Sequence, residues 1–145
     1  MSLPNNITSD TTLDKWCRAH VPGFVGVIDR TQFPSTYRKM KSGNSIIINL
    51  DPHYSVGGTH WVALRISNEA PIVYYKDSFG APPPTDITAG IGNLQPHRGL
   101  IYGNRVYQKN NEDNCGKRSA YFLRDMANCA KTGSEIECFE STELS

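Results

Sequence analysis

Short apolar segments recur along the chain, and each ends at residues typical of turns. Residues 45–50 (SIIINL) are β-branched and nearly all apolar, which predicts a strand at the centre of a sheet. Residues 60–66 and 71–77 flank the turn-forming sequence Ser-Asn-Glu-Ala and predict a β-hairpin. A short extended segment within 22–34 and a strand at 100–107 complete the predicted strands.

Helical periodicity is found on both sides of this strand-rich region. Residues 10–19 predict a first helix with Asp10 as its N-cap, and 37–41 predict a basic helical turn. The strongest helical pattern begins after the N-cap candidates Asp113 and Asn114. Its apolar positions recur at spacings of three and four, at Phe122, Leu123, Met126, Ala127 and Ala130. Cys115 is therefore predicted to lie in the first turn of a helix.

Length and composition indicate an ordinary globular protein. A chain of 145 residues predicts a single domain over 1–145, and 38% hydrophobic with 20% charged residues excludes collagen-like, disordered and coiled-coil classes. The longest aliphatic run, Ile46 to Ile48, is far shorter than the ~18 residues of a membrane span. The first residues lack the pattern of a signal peptide. We therefore expect a soluble, intracellular protein without membrane partners.

The charge of the chain is nearly balanced but unevenly distributed. The formal net charge is +1, with 11 basic and 7 acidic residues up to position 110 and 4 basic and 7 acidic residues after it. Much of the later acid lies within 131–145, which predicts a flexible, solvated acidic tail. Weak nucleic-acid binding stays open as an alternative, through a basic face formed by Arg30, Arg38, Lys39 and Lys41.

The four cysteines do not indicate a metal centre. Without an export signal, Cys17, Cys115, Cys129 and Cys138 are expected to be reduced thiols. Cys17 and His20 form a C-x-x-H pair, but structural zinc sites normally draw on two compact ligand pairs and no second pair is present in the sequence. We expect no metal and no organic cofactor.

The predicted position of Cys115 suggests a nucleophile. A thiol at a helix N-terminus lies at the positive end of the helix dipole, which favours the reactive thiolate. Gly116 has no Cβ and lets a substrate backbone approach, while unpaired backbone N–H groups there could bind an oxyanion. The alternative is a buried, unreactive thiol.

A cysteine nucleophile needs a base and a group that orients it. His60 begins one predicted strand and Asp77 ends its hairpin partner, so antiparallel pairing places them side by side. The alternatives are a packing role for His60 and a turn role for Asp77. Trp61 is expected in the core or as a wall of a cleft. The other histidines, His20, His53 and His97, lie in settings that do not favour catalysis.

Four segments of the chain, in this order, resemble the adenain-like cysteine endopeptidases of clan CE, which also includes the SUMO and ubiquitin-like-modifier proteases. The segments are FVGVIDRTQFPS, GGTHWVALRI, VYYKDSFGAP and VYQKNNEDNCGKRSAYFL. The resemblance implies an α+β fold, in which helices flank a central mixed or antiparallel sheet and the catalytic cysteine lies at the N-terminus of a central helix.

The resemblance implies a role for each matching residue. Cys115 is the expected nucleophile, His60 the general base and then acid, and Asp77 the group that orients His60. Gln108 is expected to donate its side-chain amide to the oxyanion beside the backbone N–H of Cys115. Trp61 is expected to line the substrate cleft, as is Gly116 because it has no Cβ.

This chain also departs from the adenovirus enzymes. Asp77 stands where they usually carry Glu, and Asn114 stands where SUMO proteases carry Asp. Residues 78–107 contain no cysteine to which an activating peptide could be disulfide-linked. Peptide tethering is therefore not carried over.

The function implied is that of a viral, virophage or Polinton-type maturation protease. It would be a monomer that cleaves capsid precursors after small or Gly-Gly sequences, in the cytoplasm or nucleus of an infected cell and within the virion. The alternatives are a deubiquitinase or SUMO-type isopeptidase and a catalytically inert binding or structural domain.

Overall fold

A five-stranded mixed sheet with helices on both faces forms the framework of the computed structural model, which describes residue 3 and residues 9–50, 60–103 and 115–144. Its elements in chain order are α1 (Asp10–His20), β1 (Phe24–Asp29), a 3-10 turn (Arg30–Gln32), α2 (Phe33–Lys39), β2 (Ser45–Asn49), β3 (Trp61–Ile66), β4 (Ile72–Lys76), α3 (Thr85–Leu94), β5 (Gly99–Tyr102), α4 (Cys115–Ala130) and α5 (Glu135–Leu144). The predicted α+β class is confirmed. No helix within these ranges is both long and apolar enough to cross a membrane.

The strands lie in the sheet in the order of the sequence, β1 to β5. The two outer pairs are parallel, and β3 runs antiparallel to both β2 and β4. Ala63 of β3 pairs with Ile47 on one side and with Lys76 on the other. The predicted hairpin is therefore confirmed, and its second strand ends near the start of its first strand.

Alternation along the central strands divides the core between the two faces of the sheet. Trp61 and Ala63 of β3 pack with residues of α1, α4 and α5, whereas Val62 and Leu64 pack with residues of α2 and α3. All six residues of β3 are buried. This explains why its sequence is almost continuously apolar, as expected for a strand covered on both sides.

The helices α2 and α3 differ from the sequence prediction. The sequence predicts only a helical turn at 37–41, but α2 begins at Phe33, with a proline in its first turn as helices favour. The helix α3 was not predicted, because its two glycines weaken the intrinsic helical preference. Gly90 of α3 lies so close to the ring of Phe33 that a Cβ there would be 2.9 Å from Cε2. Packing between the two helices thus overrides local preference.

The flexible acidic tail predicted for 131–145 is wrong for most of that segment, which forms the helix α5. The chain turns back after α4 at Gly133, whose positive φ of 73° suits glycine. Glu135 and Phe139 of α5 are buried, although Glu137 and Glu140 are exposed as expected. The acidic composition predicted an exposed segment. The burial of Glu135 could not be predicted, because the residue that pairs with it lies far away in the sequence.

That partner is Arg65, at the end of β3. Its Nε and Nη2 lie 2.8 and 2.7 Å from Oε1 of Glu135, and both side chains are essentially inaccessible to solvent. The other carboxylate oxygen of Glu135 accepts hydrogen bonds from the hydroxyl of Ser67 and from the backbone N–H of Asn68. The backbone N–H of Glu135 in turn donates to Glu69. These bonds fasten the start of α5 to the end of β3.

The expectation of four reduced cysteines is also wrong, since Cys129 and Cys138 form a disulfide with 6.3 Å between their Cα atoms. The pair connects the end of α4 to α5, and the turn between the helices brings the two residues together. Cys17 is a buried thiol in α1. Burial, together with the nearby Asp14, raises the pKa of Cys17 to about 12, so this thiol stays protonated at neutral pH.

We expect Glu135→Ala to lower the free energy of unfolding by about 3–5 kcal/mol, because it leaves the charge of Arg65 buried and unpaired. Urea denaturation measures the change. The matched control is Glu137→Ala, an exposed residue of the same helix, with an expected change within about 0.5 kcal/mol. Equal effects of the two substitutions would contradict a stabilising role for the buried pair.

Candidate active site

Cys115 is the first residue of α4, which confirms its predicted position in the fold. The thiol is buried, with 4% of the residue exposed. Backbone N–H groups of a first helical turn have no acceptor within the helix and can bind an anion that forms beside them. The N-cap candidates Asp113 and Asn114 lie outside the described residues.

His60 and Asp77 are neighbours, as the hairpin predicts. Nε2 of His60 lies 3.1 Å from Oδ2 of Asp77, and only 4% of the Asp77 side chain is exposed. The other oxygen, Oδ1, accepts a 2.8 Å hydrogen bond from the backbone N–H of Phe79. The ring of Phe79 lies 4.9 Å from the imidazole ring. The carboxylate and the aromatic ring together hold the imidazole in one orientation.

The second ring nitrogen of His60 remains available for chemistry. Nδ1 is buried and makes no hydrogen bond with an oxygen or nitrogen atom of the described residues. The same ring interacts with the thiol of Cys115. His60 therefore connects an orienting carboxylate at Nε2 to a sulfur atom, which is the arrangement that a cysteine nucleophile requires.

The charges around the ring favour the imidazolium form. Burial alone lowers the pKa of His60, but hydrogen bonding and electrostatic interaction with Asp77 and Cys115 outweigh burial and raise this pKa from 6.5 to about 10. His60 is thus protonated at neutral pH. An imidazolium next to a cysteine is a setting that generally favours the thiolate form of the sulfur.

Trp61 contacts the thiol of Cys115 from inside the protein. Its backbone N–H donates to Sγ of Cys115 at 3.5 Å, and its carbonyl accepts from the hydroxyl of Ser119 at 3.2 Å. The residue is only 2% exposed. Its predicted core role is confirmed, and its role as a wall of the substrate cleft stays a prediction.

Gly116 faces the indole ring of Trp61. A Cβ at position 116 would lie 2.9 Å from Cε3 of Trp61 and 3.6 Å from Cδ2 of Leu13. The sequence suggested that glycine is needed here to let a substrate approach. The structure shows a second reason, because a side chain at this position would collide with Trp61. The role of Gly116 toward a substrate stays a prediction.

The remaining sequence candidates fall into two groups. Gln108, the predicted oxyanion donor, lies outside the described residues, as does His53. His20 stacks on the ring of Trp16 with 4.3 Å between ring centroids, in keeping with a packing role. Within the described ranges, no group of three or more His, Cys, Asp or Glu side chains could hold a metal ion.

The basic face predicted as an alternative nucleic-acid site is partly engaged within the protein. Arg30 makes two 2.9 Å hydrogen bonds to the carboxylate of Asp86 in α3. Arg38 and Lys39 lie in the last turn of α2, where cations suit the helix dipole. Neither feature indicates a phosphate-binding surface.

Phe79 and Ser119 also contribute to this site, although the sequence pattern does not single them out. The sequence does contain a signal for Phe79, because an Asp side chain in a turn commonly accepts a hydrogen bond from the backbone N–H two residues later. Ser119 lies one helical turn after Cys115 and thus on the same face of α4. That spacing indicates a shared face but does not reveal that the hydroxyl bonds to β3.

The raised pKa of His60 predicts a pH dependence of stability. A folded-state pKa above the unfolded value means that the protonated ring stabilises the fold below about pH 6.5 and that this contribution is lost as the pH rises toward 10. The difference in unfolding free energy between the unmodified protein and His60→Gln should therefore shrink across this window. Urea denaturation at intervals of one pH unit measures it, and a constant difference would contradict the assignment.

The contact between Gly116 and Trp61 predicts that Gly116→Ala lowers the unfolding free energy by about 1–3 kcal/mol, because the indole must shift. Gly92→Ala in α3 is the matched control, since a Cβ there has no atom within 4 Å. This control should be neutral or stabilising by up to about 1 kcal/mol. Thermal melting followed by circular dichroism compares the two, and the prediction fails if they behave alike.

Solved cysteine proteases share the fold of this chain. The ASFV pS273R protease matches with a TM-score of 0.62 and 14% sequence identity, over 99% of this chain and 70% of that chain. Two structures of the SUMO protease Ulp1, with the catalytic cysteine oxidized to a sulfenic or a sulfinic acid, match with TM-scores of 0.51 and 0.52 and identities of 17% and 18%. They cover 90% of this chain and 69% and 74% of those chains.

No protein-family model matches the sequence, and no curated protein matches it either. At these identities the likeness establishes the fold, which is that of viral and SUMO cysteine proteases.

Proposed function

We propose that this protein is a cysteine-type peptide hydrolase with Cys115 as its nucleophile. The observation that carries the proposal is the convergence of Cys115, His60 and Asp77, three residues far apart in the sequence, at the start of α4. The 3.1 Å contact between His60 and Asp77 orients the ring. The backbone N–H of Trp61, the residue after His60, lies 3.5 Å from Sγ of Cys115, so the thiol lies beside the histidine, whose ring it affects electrostatically. The shared fold of known cysteine proteases supports the same chemistry.

The proposed reaction proceeds through a thioester. The sulfur of Cys115 attacks the carbonyl carbon of the scissile amide, and the carbonyl oxygen takes up the negative charge. His60 then gives its proton to the leaving amine as the carbon–nitrogen bond breaks. A water molecule next loses a proton to His60 and attacks the thioester, which releases the acid and regenerates the thiolate. Asp77 keeps the ring oriented and stabilises its positive charge throughout.

The charge that develops on the carbonyl oxygen needs hydrogen-bond donors. The backbone N–H of Cys115 belongs to the first turn of α4 and is one candidate. The resemblance noted in the sequence assigns the second donor to Gln108. Donors of this kind typically contribute about 2.7–4 kcal/mol to transition-state stabilisation.

The proposed biological role is the maturation of viral capsid precursors by cleavage at small or Gly-Gly sequences. The adenain-like motifs support it, as does the fold shared with a viral protease over 99% of the chain. The setting proposed is the cytoplasm or nucleus of an infected cell and the virion itself. The enzyme would act there as a monomer, on protein substrates and without a cofactor.

A second candidate is an isopeptidase that acts on ubiquitin-like modifiers, supported by the fold shared with the SUMO protease Ulp1. The two candidates differ in what must be recognised. A maturation protease binds an extended peptide on both sides of the scissile bond, whereas an isopeptidase binds the folded modifier that precedes it.

We expect Cys115→Ala to abolish hydrolysis of quenched fluorogenic Gly-Gly-Xaa peptides, because no other group replaces the sulfur. Cys17→Ala is the matched control, since that thiol is buried and protonated, and its activity should stay within about threefold. Fluorogenic modifier substrates are assayed in parallel. Preference for the modifier by 10²-fold or more would favour the isopeptidase. Turnover retained by Cys115→Ala, or none by the unmodified protein on any substrate, would remove the proposed function.

A further inference from the structure

Asp10 connects the start of α1 to the candidate active site. Oδ1 of Asp10 accepts a 2.7 Å hydrogen bond from the indole Nε1–H of Trp61, which lies 51 residues away in the sequence. The sequence pattern predicts only a capping role for Asp10. In the structure it is the first residue of α1, and the N-cap is Ser9, whose side chain accepts from Thr12. Asp10 is therefore free of the capping role, and its carboxylate bonds to Trp61.

Trp61 contacts α4, the helix that begins with Cys115, through three separate groups. Its backbone N–H reaches Sγ of Cys115, its carbonyl binds the hydroxyl of Ser119, and its ring fills the space in front of Gly116. Trp61 also follows His60 in the chain. A shift of Trp61 would consequently change the position of the sulfur relative to the imidazole.

A carboxylate suits this position for two physical reasons. The indole N–H is a donor only, and a buried donor needs an acceptor; a charged acceptor makes the stronger bond. The start of α1 also places the negative charge of Asp10 at the positive end of a helix dipole. Leu13 of the same helix approaches Gly116, so α1 supplies both a polar and an apolar contact to the base of the site.

We propose that Asp10 is a positioning residue for the thiol chemistry of this site, acting through the Trp61 indole on Cys115. The proposal rests on the proposed function of Cys115 as a nucleophile. It assigns α1 a role in reactivity beyond its packing against β1 and α4. Asp10 touches no reacting atom in this role, since it acts only on the residue that supports the sulfur.

The test compares Asp10→Ala with Asp10→Asn and with Asp14→Ala. Asparagine keeps an acceptor oxygen for the indole. Asp14 is the matched control, because it lies on the same helix and also makes tertiary bonds, to Arg18 and to the backbone N–H of Val27, but does not contact Trp61. Both alanine variants thus lose native hydrogen bonds of α1, and only one loses the bond to the indole.

Two readouts separate positioning from stability. The first is kcat and KM for a Gly-Gly-Xaa peptide, measured well below the melting temperature of each variant. The second is the rate of iodoacetamide alkylation at Cys115 as a function of pH, located by peptide mass mapping. The alkylation readout does not need turnover, so it tests Asp10 even where no substrate is cleaved, and failure of the proposed function is recognised separately.

We expect Asp10→Ala to lower kcat about tenfold with KM within about twofold, and to shift the pH profile of alkylation. Asp10→Asn should recover most of kcat, and Asp14→Ala should keep both kcat and the alkylation profile. An Asp10→Ala protein with an unchanged alkylation profile would overturn the proposal. So would Asp14→Ala with the same changes in kcat and profile as Asp10→Ala.

Discussion

Burial of β3 on both faces is the constraint on which the candidate site depends. A slip of one residue in its pairing would turn every side chain to the opposite face, and it would take Trp61 from Asp10 and Arg65 from Glu135, so these buried contacts fix its register. That register brings Asp77, just after β4, against His60, just before β3. The imidazole and its carboxylate are thus positioned by the strand that is buried along its whole length.

The same burial sets the electrostatics of the site. Taking Asp77 out of water is costly unless hydrogen bonds compensate, and Phe79 and His60 provide them. In a poorly solvated setting the carboxylate and the thiol act strongly on the ring, which is why the pKa of His60 rises in spite of its burial. A protonated imidazole beside a sulfur is what the proposed attack and proton transfer need.

At both ends of β3, a buried hydrogen-bond donor is paired with a carboxylate from a helix. Each end carries a buried donor on an otherwise apolar strand, the indole of Trp61 at the start and the guanidinium of Arg65 at the end. Each donor bonds to an acid at the first residue of a helix, Asp10 of α1 and Glu135 of α5. A helix N-terminus is a favourable place for such a negative charge. Each helix therefore supplies the acceptor that a buried donor of β3 needs and packs against the strand as well.

Sequence alone determined the elements whose signal is local. Periodicity over a few residues predicted α1, the hairpin and α4, and the pairing of His60 with Asp77 followed because hairpin partners are close in the chain. The remaining features depend on distant contacts: α3 is stabilised by packing on Phe33, and α5 by its bond to Arg65. Only the tertiary structure could show that these segments are helical. An acidic or glycine-rich segment has no local property that reveals which distant residue will stabilise it as a helix.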